Sequence, residues 1–346
     1  MYFDVTMPIT LFAVTALAMF LNKRAEVKLK KTFEEKQLCA SEAVLFVVLI
    51  GALVSIVIFV PQMAIMAIFL FSYCTLLLKL HYFFSNTHKR KVQLFCSLFG
   101  IAGLAAGTFA GLHMFANGFM FCEAVAAYGF AAFAFFAVVY EQKMTEKKER
   151  WYLGVLPSAL FVLLYSLYVH TPLWFPYLLD FSGVIFAVLI TLYLGSLFSW
   201  KNVFIFAGLL TVMDIVLVLF TRVMVTAANQ VAGLGLPVLI TLPAVPLILT
   251  ERGLQYMSLG LGDFFFAGIL ATKTLKKFGG RIAVVSTVTM CLSFAIFEAF
   301  LMNSQWGAFP GTLMIICGWL PIVAWKLLTD RKTKDRVEEA ETKIGC

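Results

Sequence analysis

The sequence is poor in charged residues. Of its 346 residues, only 13% are Asp, Glu, Lys or Arg, whereas 62% are hydrophobic. This composition excludes a water-soluble domain, because soluble domains are about 25% charged. Apolar runs long enough to cross a bilayer, about 20 residues each, recur from Phe3 to Trp325. The predicted fold class is therefore an all-α polytopic membrane protein, with the lipid bilayer as its surroundings.

Other features that the sequence lacks exclude whole classes of site. The seven cysteines have no paired spacing, so neither a disulfide framework nor a zinc site is predicted. The net charge of +8 comes without an aromatic and basic binding module, which argues against nucleic acid as a partner. No basic residue precedes the first apolar run, and Asn22-Lys23-Arg24 follows it directly, so we expect a retained span rather than a signal peptide. We expect no metal and no organic cofactor.

Eleven apolar segments are candidate spans. They cover residues 3–21, 43–60, 62–84, 92–116, 119–140, 151–170, 180–199, 202–224, 254–272, 282–301 and 307–327. If consecutive spans alternate across the membrane, 25 of the 27 Lys and Arg residues share one face, and only Arg222 and Arg252 lie on the other. The positive-inside rule makes the basic face cytoplasmic. The N-terminus is then outside and the C-terminus cytoplasmic, in the cell membrane of a prokaryote or the endoplasmic reticulum membrane of a eukaryote.

The apolar segment from Ala232 to Leu249 does not fit this alternation. Glycines and prolines interrupt it, and Val238–Thr241 is a short run of mostly β-prone residues. We predict a strand or an irregular segment near 236–243, shielded from lipid because unpaired backbone is not tolerated there. The chain then divides into N-terminal transmembrane helices at 1–200, a transmembrane core that carries the activity at 201–328, and a charged cytoplasmic tail at 329–346.

Asp214 and Asp263 each lie near the middle of an apolar span. A carboxylate there costs about 3 kcal/mol on insertion scales, so an ionisable residue at that depth is a candidate functional site. Their helices run antiparallel, so the two depths can coincide. Two adjacent carboxyl groups share a proton, and one can then activate a water while the other polarises a peptide carbonyl. Both aspartates are therefore candidate catalytic residues.

Two short motifs lie beside this pair. Gly260, Leu261 and Gly262 precede Asp263, and the last span opens with Pro310, Gly311, Thr312 and Leu313. The glycines would let a neighbouring helix or an extended substrate approach the acid closely. A proline inside the last span would leave an upstream carbonyl free for docking. We predict that these seven residues bind substrate.

With these motifs the sequence resembles the GxGD intramembrane aspartyl proteases, the presenilin and signal peptide peptidase family. Met213-Asp214-Ile215 and Val223-Met224-Val225-Thr226-Ala227 are similar to a stretch of signal peptide peptidase, and Pro310–Leu313 lies where the family has Pro-Ala-Leu. The resemblance covers about 203–325, and it is closer to signal peptide peptidase or an archaeal presenilin homologue. Met213 replaces the family's tyrosine, and the Pro-Ala-Leu motif is not literal.

The resemblance implies an intramembrane aspartic endopeptidase. Such an enzyme would cleave transmembrane helices or remnant signal peptides with a water activated by Asp214 and Asp263. The family is described with nine helices, so the hairpin at 92–140 would be an addition to the family's bundle. The natural substrate stays open, as does assembly into a homo-oligomer.

Three other interpretations fit the same residues. The carboxylates could relay protons in a coupled transporter or channel, although such carriers show interrupted helices in two matching positions and only one is found here. A prepilin peptidase-like enzyme also uses an intramembrane Gly-x-Gly-Asp. The two acids could also be buried separately, each satisfied by its own neighbouring helix.

Overall fold

The computed structural model describes residues 2–32, 38–79, 88–117, 121–143, 150–247, 249–250, 253–304 and 308–344. In chain order the helices are α1 (Thr6–Thr32), α2 (Ala40–Val57), α3 (Gln62–Leu78), α4 (Lys89–Asn117), α5 (Phe121–Lys143), α6 (Tyr152–Tyr168), α7 (Leu179–Leu197), α8 (Trp200–Ile215), α9 (Val223–Ala232), α10 (Leu261–Phe278), α11 (Gly280–Asn303) and α12 (Gly311–Ile344). Four strands lie between α9 and α10, namely β1 (Leu239–Pro243), β2 (Leu249–Thr250), β3 (Gly253–Leu254) and β4 (Tyr256–Gly260).

The predicted fold class, an all-α polytopic membrane protein, is confirmed. Each of the eleven predicted spans overlaps a helix, and α9 is an additional short one. In the described part of the chain, seven helices are long and apolar enough to cross a membrane. Three further predicted spans coincide with α1, α3 and α6, whose apolar stretches are shorter. The remaining predicted span, 254–272, overlaps α10, whose last turn carries lysines.

Several predicted span boundaries differ from the helix ends, and three of the differences lie near Asp214 and Asp263. The span 202–224 ends early, because α8 gives way to a π-helical turn over Val216–Phe220 and Arg222 then has a φ of 54°. A left-handed residue cannot continue a right-handed helix. The span 254–272 starts late, because its first residues form β4. The span 307–327 also starts late, at Gly311.

The strand predicted near 236–243 is present as β1. It pairs antiparallel with β4, in a register that runs from Leu239 opposite Gly260 to Pro243 opposite Tyr256. The pair β2 and β3 forms a separate short hairpin. Hydropathy identified the interrupted segment but not its partner, because an apolar run can form either a strand or the start of a helix.

Helix α10 lies at the centre of the bundle. It packs against α1, α7, α8, α11 and α12, and Phe264, Phe266 and Leu270 are fully buried. The hairpin of α4 and α5 instead packs on α6 around a smaller apolar cluster. Glu141 of α5 joins this contact, accepting a 2.6 Å hydrogen bond from Arg150. The hairpin thus packs mainly on α6, while alanines of its inner face, such as Ala106 and Ala127, join the main core.

Candidate active site

Asp214 lies on the last turn of α8, and its side chain contacts the start of α12. Its Oδ2 atom accepts hydrogen bonds from the backbone N–H of Thr312 at 3.2 Å and from the Thr312 hydroxyl at 2.6 Å. Because the first N–H groups of a helix have no partner within that helix, the carboxylate of α8 caps α12 from outside. Asp214 is 4% exposed, so these bonds are made in a buried environment.

Asp263 is the third residue of α10. Strand β4 continues into this helix without a loop, and Gly260 is the N-terminal capping residue. The Asp263 carboxyl group turns back toward this residue, since a Cβ atom on Gly260 would lie 3.2 Å from its Oδ2 atom. The glycine-rich motif therefore forms a strand-to-helix junction, rather than the middle of a span as predicted.

The start of α12, at Gly311, lies next to both acids. A Cβ atom added to Gly311 would lie 2.5 Å from Cγ of Asp263, and the next residue, Thr312, bonds Asp214. Consecutive residues of α12 thus contact the two carboxyl groups. The groups are close enough for a direct electrostatic interaction.

The edge of β1 that faces away from β4 is partly occupied. Residues of an antiparallel strand point their N–H and C=O groups alternately toward and away from the partner. The bonds from Leu261 to Val238 and from Ala244 to Gln255 show that the even-numbered residues of β1 face β4. Thr241 faces the other way, and its N–H donates to the carboxylate of Asp180 on α7 at 2.8 Å.

With respect to the described part of the chain, the free edge of the sheet belongs to β4. By the same alternation, Tyr256 and Ser258 direct their N–H and C=O groups away from β1, and both residues are exposed. Asp263 lies five residues beyond Ser258. The open edge of the sheet therefore leads directly to one of the two carboxyl groups.

A family model for signal peptide peptidase matches residues 30–287. This chain belongs to the signal peptide peptidase family. It is therefore a membrane-embedded protease of the aspartic class. No curated protein matches the chain. The matched range includes Asp214 and Asp263 but ends before Pro310. The association of the last helix with the two acids therefore rests on the contacts of Gly311 and Thr312.

The residues predicted to bind substrate in this signal peptide peptidase relative differ in accessibility. Gly262 is exposed, and Gly260 and Leu313 are half-buried. The buried ones are Leu261, Pro310, Gly311 and Thr312. Asp263 itself is half-buried. The accessible side of the pair is therefore the β4 and α10 junction, whereas the start of α12 forms its buried side.

Two of the reasons given for these motifs are wrong. Among the described residues, none lies within 4 Å of a Cβ placed on Gly262, so this glycine does not serve close helix packing. Gly311 has that role instead. Pro310 caps α12 and its own C=O accepts the hydrogen bond from Met314, so it interrupts no helix and frees no upstream carbonyl.

Sequence reasoning missed Asp180. The signal was available, because this acid is the only charged residue between Trp151 and Trp200. Its task is to hold β1, which could not be read from its position at the start of a span. Met213, where the family has tyrosine, packs on α2, and its Sδ atom would lie 2.5 Å from a Cβ on Gly51. No group of three or more metal-ligating side chains occurs in the described ranges.

Proposed function

We propose that Asp214 and Asp263 are the catalytic pair of an intramembrane endopeptidase. The substrates are transmembrane helices and remnant signal peptides. The observation that carries the proposal is the contact of both carboxyl groups with consecutive residues of α12, Gly311 and Thr312. Two acids satisfied separately would not converge on the same helix end.

Hydrolysis needs one carboxylate and one carboxylic acid. The charged member takes a proton from a water, whose oxygen attacks the scissile carbonyl carbon, while the protonated member gives its proton to the carbonyl oxygen. Two neighbouring carboxyl groups favour this singly charged state, because two adjacent charges are costly. The pair then collapses the tetrahedral intermediate by passing a proton to the leaving nitrogen.

A helical substrate must first unwind, because its carbonyl groups are bonded within the helix. The free edge of β4 supports a way to hold the unwound segment, by addition of a substrate strand. Ser258 and Tyr256 would pair with the substrate backbone, and the next residues of the substrate would reach Asp263. The outward edge of β1 is less suited to this role, because Asp180 already accepts the N–H of Thr241 there.

The pairing also suggests a substrate direction. If the basic face is cytoplasmic, β4 and the helix α10 that follows it both run from the outer side toward the cytoplasm. Antiparallel pairs are two to three times as common as parallel ones, and an antiparallel substrate would run outward. We therefore propose substrates with a cytoplasmic N-terminus.

Cleavage of a labelled single-span peptide in detergent tests the proposal. Wild type should cut within the apolar segment, as mass spectrometry of the products would show, and Asp263→Ala should not. Asp330→Ala is a matched control, because Asp330 is an exposed acid on the distal part of α12 paired with Lys326. Wild type that leaves the peptide intact would contradict the proposal, and the proton-relay interpretation would then be tested by flux measurements in vesicles.

A further inference from the structure

The two carboxyl groups of the pair are not equivalent in this structure. Both lie at helix N-termini, Asp263 in the first turn of its own helix and Asp214 against the first turn of α12. Helix N-termini favour negative charge, so this influence acts on both acids. What differs is the number of direct hydrogen bonds. Asp214 accepts two, both from Thr312, whereas Asp263 lies against Gly260 and Gly311 without such a pair of bonds.

Both bonds to Asp214 end on the same oxygen, Oδ2. A backbone N–H can only donate, so Oδ2 is an acceptor, and the hydroxyl at 2.6 Å is at the short distance of a bond to a charged oxygen. Thr312 is 5% exposed. Its hydroxyl therefore donates to this carboxyl oxygen in a buried environment, where a bond to the charged form is strong.

We propose that Thr312 is a positioning residue whose hydroxyl holds Asp214 as the charged, water-activating member of the pair and so leaves the shared proton on Asp263. This assignment rests on the proposed function of the pair. It replaces the predicted substrate contact of Thr312, which its burial opposes. Neither alanine nor leucine of the family's Pro-Ala-Leu motif could supply this hydroxyl.

The assignment fixes each proton transfer. Asp214 takes a proton from water as the oxygen–carbon bond forms, and Asp263 gives its proton to the carbonyl oxygen. As the carbon–nitrogen bond breaks, Asp214 returns its proton to the leaving nitrogen and Asp263 recovers one from a hydroxyl of the tetrahedral intermediate. The starting charges are then restored, and no further reactant is required.

The test compares Thr312→Val with Thr312→Ser. Valine keeps the shape and the backbone N–H but removes the hydroxyl, so kcat should fall by about 10- to 100-fold, the value of a hydrogen bond to a charged group. Thr312→Ser should restore most of this rate. Thr312→Ala is a second variant without the hydroxyl that cannot overpack, and Thr108→Val, on an exposed face of α4, is the control for detergent handling.

The pH profile separates positioning from a structural role. Loss of the bond to the anion should move the acidic limb toward higher pH by about one unit for a tenfold effect, because Asp214 ionises less readily. The alkaline limb should stay in place, since it reports loss of the remaining proton from Asp263, when Asp214 is already charged. The titratable group that acts on Asp263 is Asp214.

Two results would overturn the assignment. One is a rate loss in Thr312→Val and Thr312→Ala with both limbs unmoved, and the other is an unchanged rate. Wild-type cleavage that survives Asp263→Ala is a different result, because it would overturn the proposed function and this assignment with it.

Discussion

The backbone of Gly311 lies against the carboxyl group of Asp263. A methyl group at this position would lie 2.5 Å from Cγ and 2.5 Å from Oδ1 of that acid, well inside van der Waals contact. Gly311 also begins the helix whose next residue bonds Asp214. Close approach of α12 to α10 thus joins the two halves of the pair.

Gly311→Ala should therefore abolish most cleavage. The added methyl group must displace Asp263 or the start of α12, and a shift of about 1 Å costs on the order of 100-fold in rate. The measurement is kcat for the single-span peptide, beside the thermal unfolding of the detergent-solubilised protein. Gly208→Ala is the matched control, since its Cβ would meet open space among the described residues. Equal activity of the two variants would contradict the role of Gly311.

Proline substitutions in β4 should separate the two edges of this strand. Ser258→Pro removes an N–H that faces away from β1, so it should lower kcat/KM by about tenfold or more and leave the fold intact. Met257→Pro removes an N–H directed at β1 and should lower the unfolding temperature instead. Ser258→Ala controls for the hydroxyl that bonds Thr241. If Ser258→Pro cleaves like Ser258→Ala, substrate does not add to this edge.

Activity against pH should be bell-shaped. The acidic limb reports protonation of the charged member, and the alkaline limb reports loss of the shared proton, so both apparent values belong to the pair rather than to one residue. The scheme uses two carboxyl groups and water, so EDTA should leave the rate unchanged. A single-limbed profile, or inhibition by EDTA that added metal reverses, would contradict it.

The C-terminus should be cytoplasmic. In a cysteine-free variant, Pro172→Cys between α6 and α7 should react with a membrane-impermeant thiol reagent from outside, because the positive-inside rule puts that connection there. Lys201→Cys at the start of α8 should react only after the membrane is opened. The opposite pattern would invert the proposed substrate direction and leave the chemistry of the pair unaffected.

Hydropathy and charge sufficed to predict the fold class and to single out Asp214 and Asp263. Both signals are local, because each depends on one apolar run and on the residue that breaks it. The starts of α10 and α12 could not be predicted in this way. Residues 254–260 carry no charge and were included in a predicted span, but pairing with β1 makes the last five of them a strand.

The polar contacts of the site depend on residues far apart in the sequence. The Thr312 bond to Asp214 joins positions 98 residues apart, and the Asp180 bond to Thr241 joins positions 61 apart. A threonine that opens an apolar helix gives no sign of such a partner. The sequence therefore indicated which segments meet, through the two acids, but not which neighbouring atoms distinguish one acid from the other.

The most direct test of the catalytic pair is the turnover of Asp214→Asn, Asp263→Asn and the double variant on the same single-span peptide. Asparagine keeps the size of each side chain but cannot exchange the shared proton. Each single variant should lose about 10⁴-fold or more in kcat, and the double variant should lose no more, because the two residues act as a unit. All three should unfold near the wild-type temperature. Turnover above about 5% of wild type in either single variant would contradict the account.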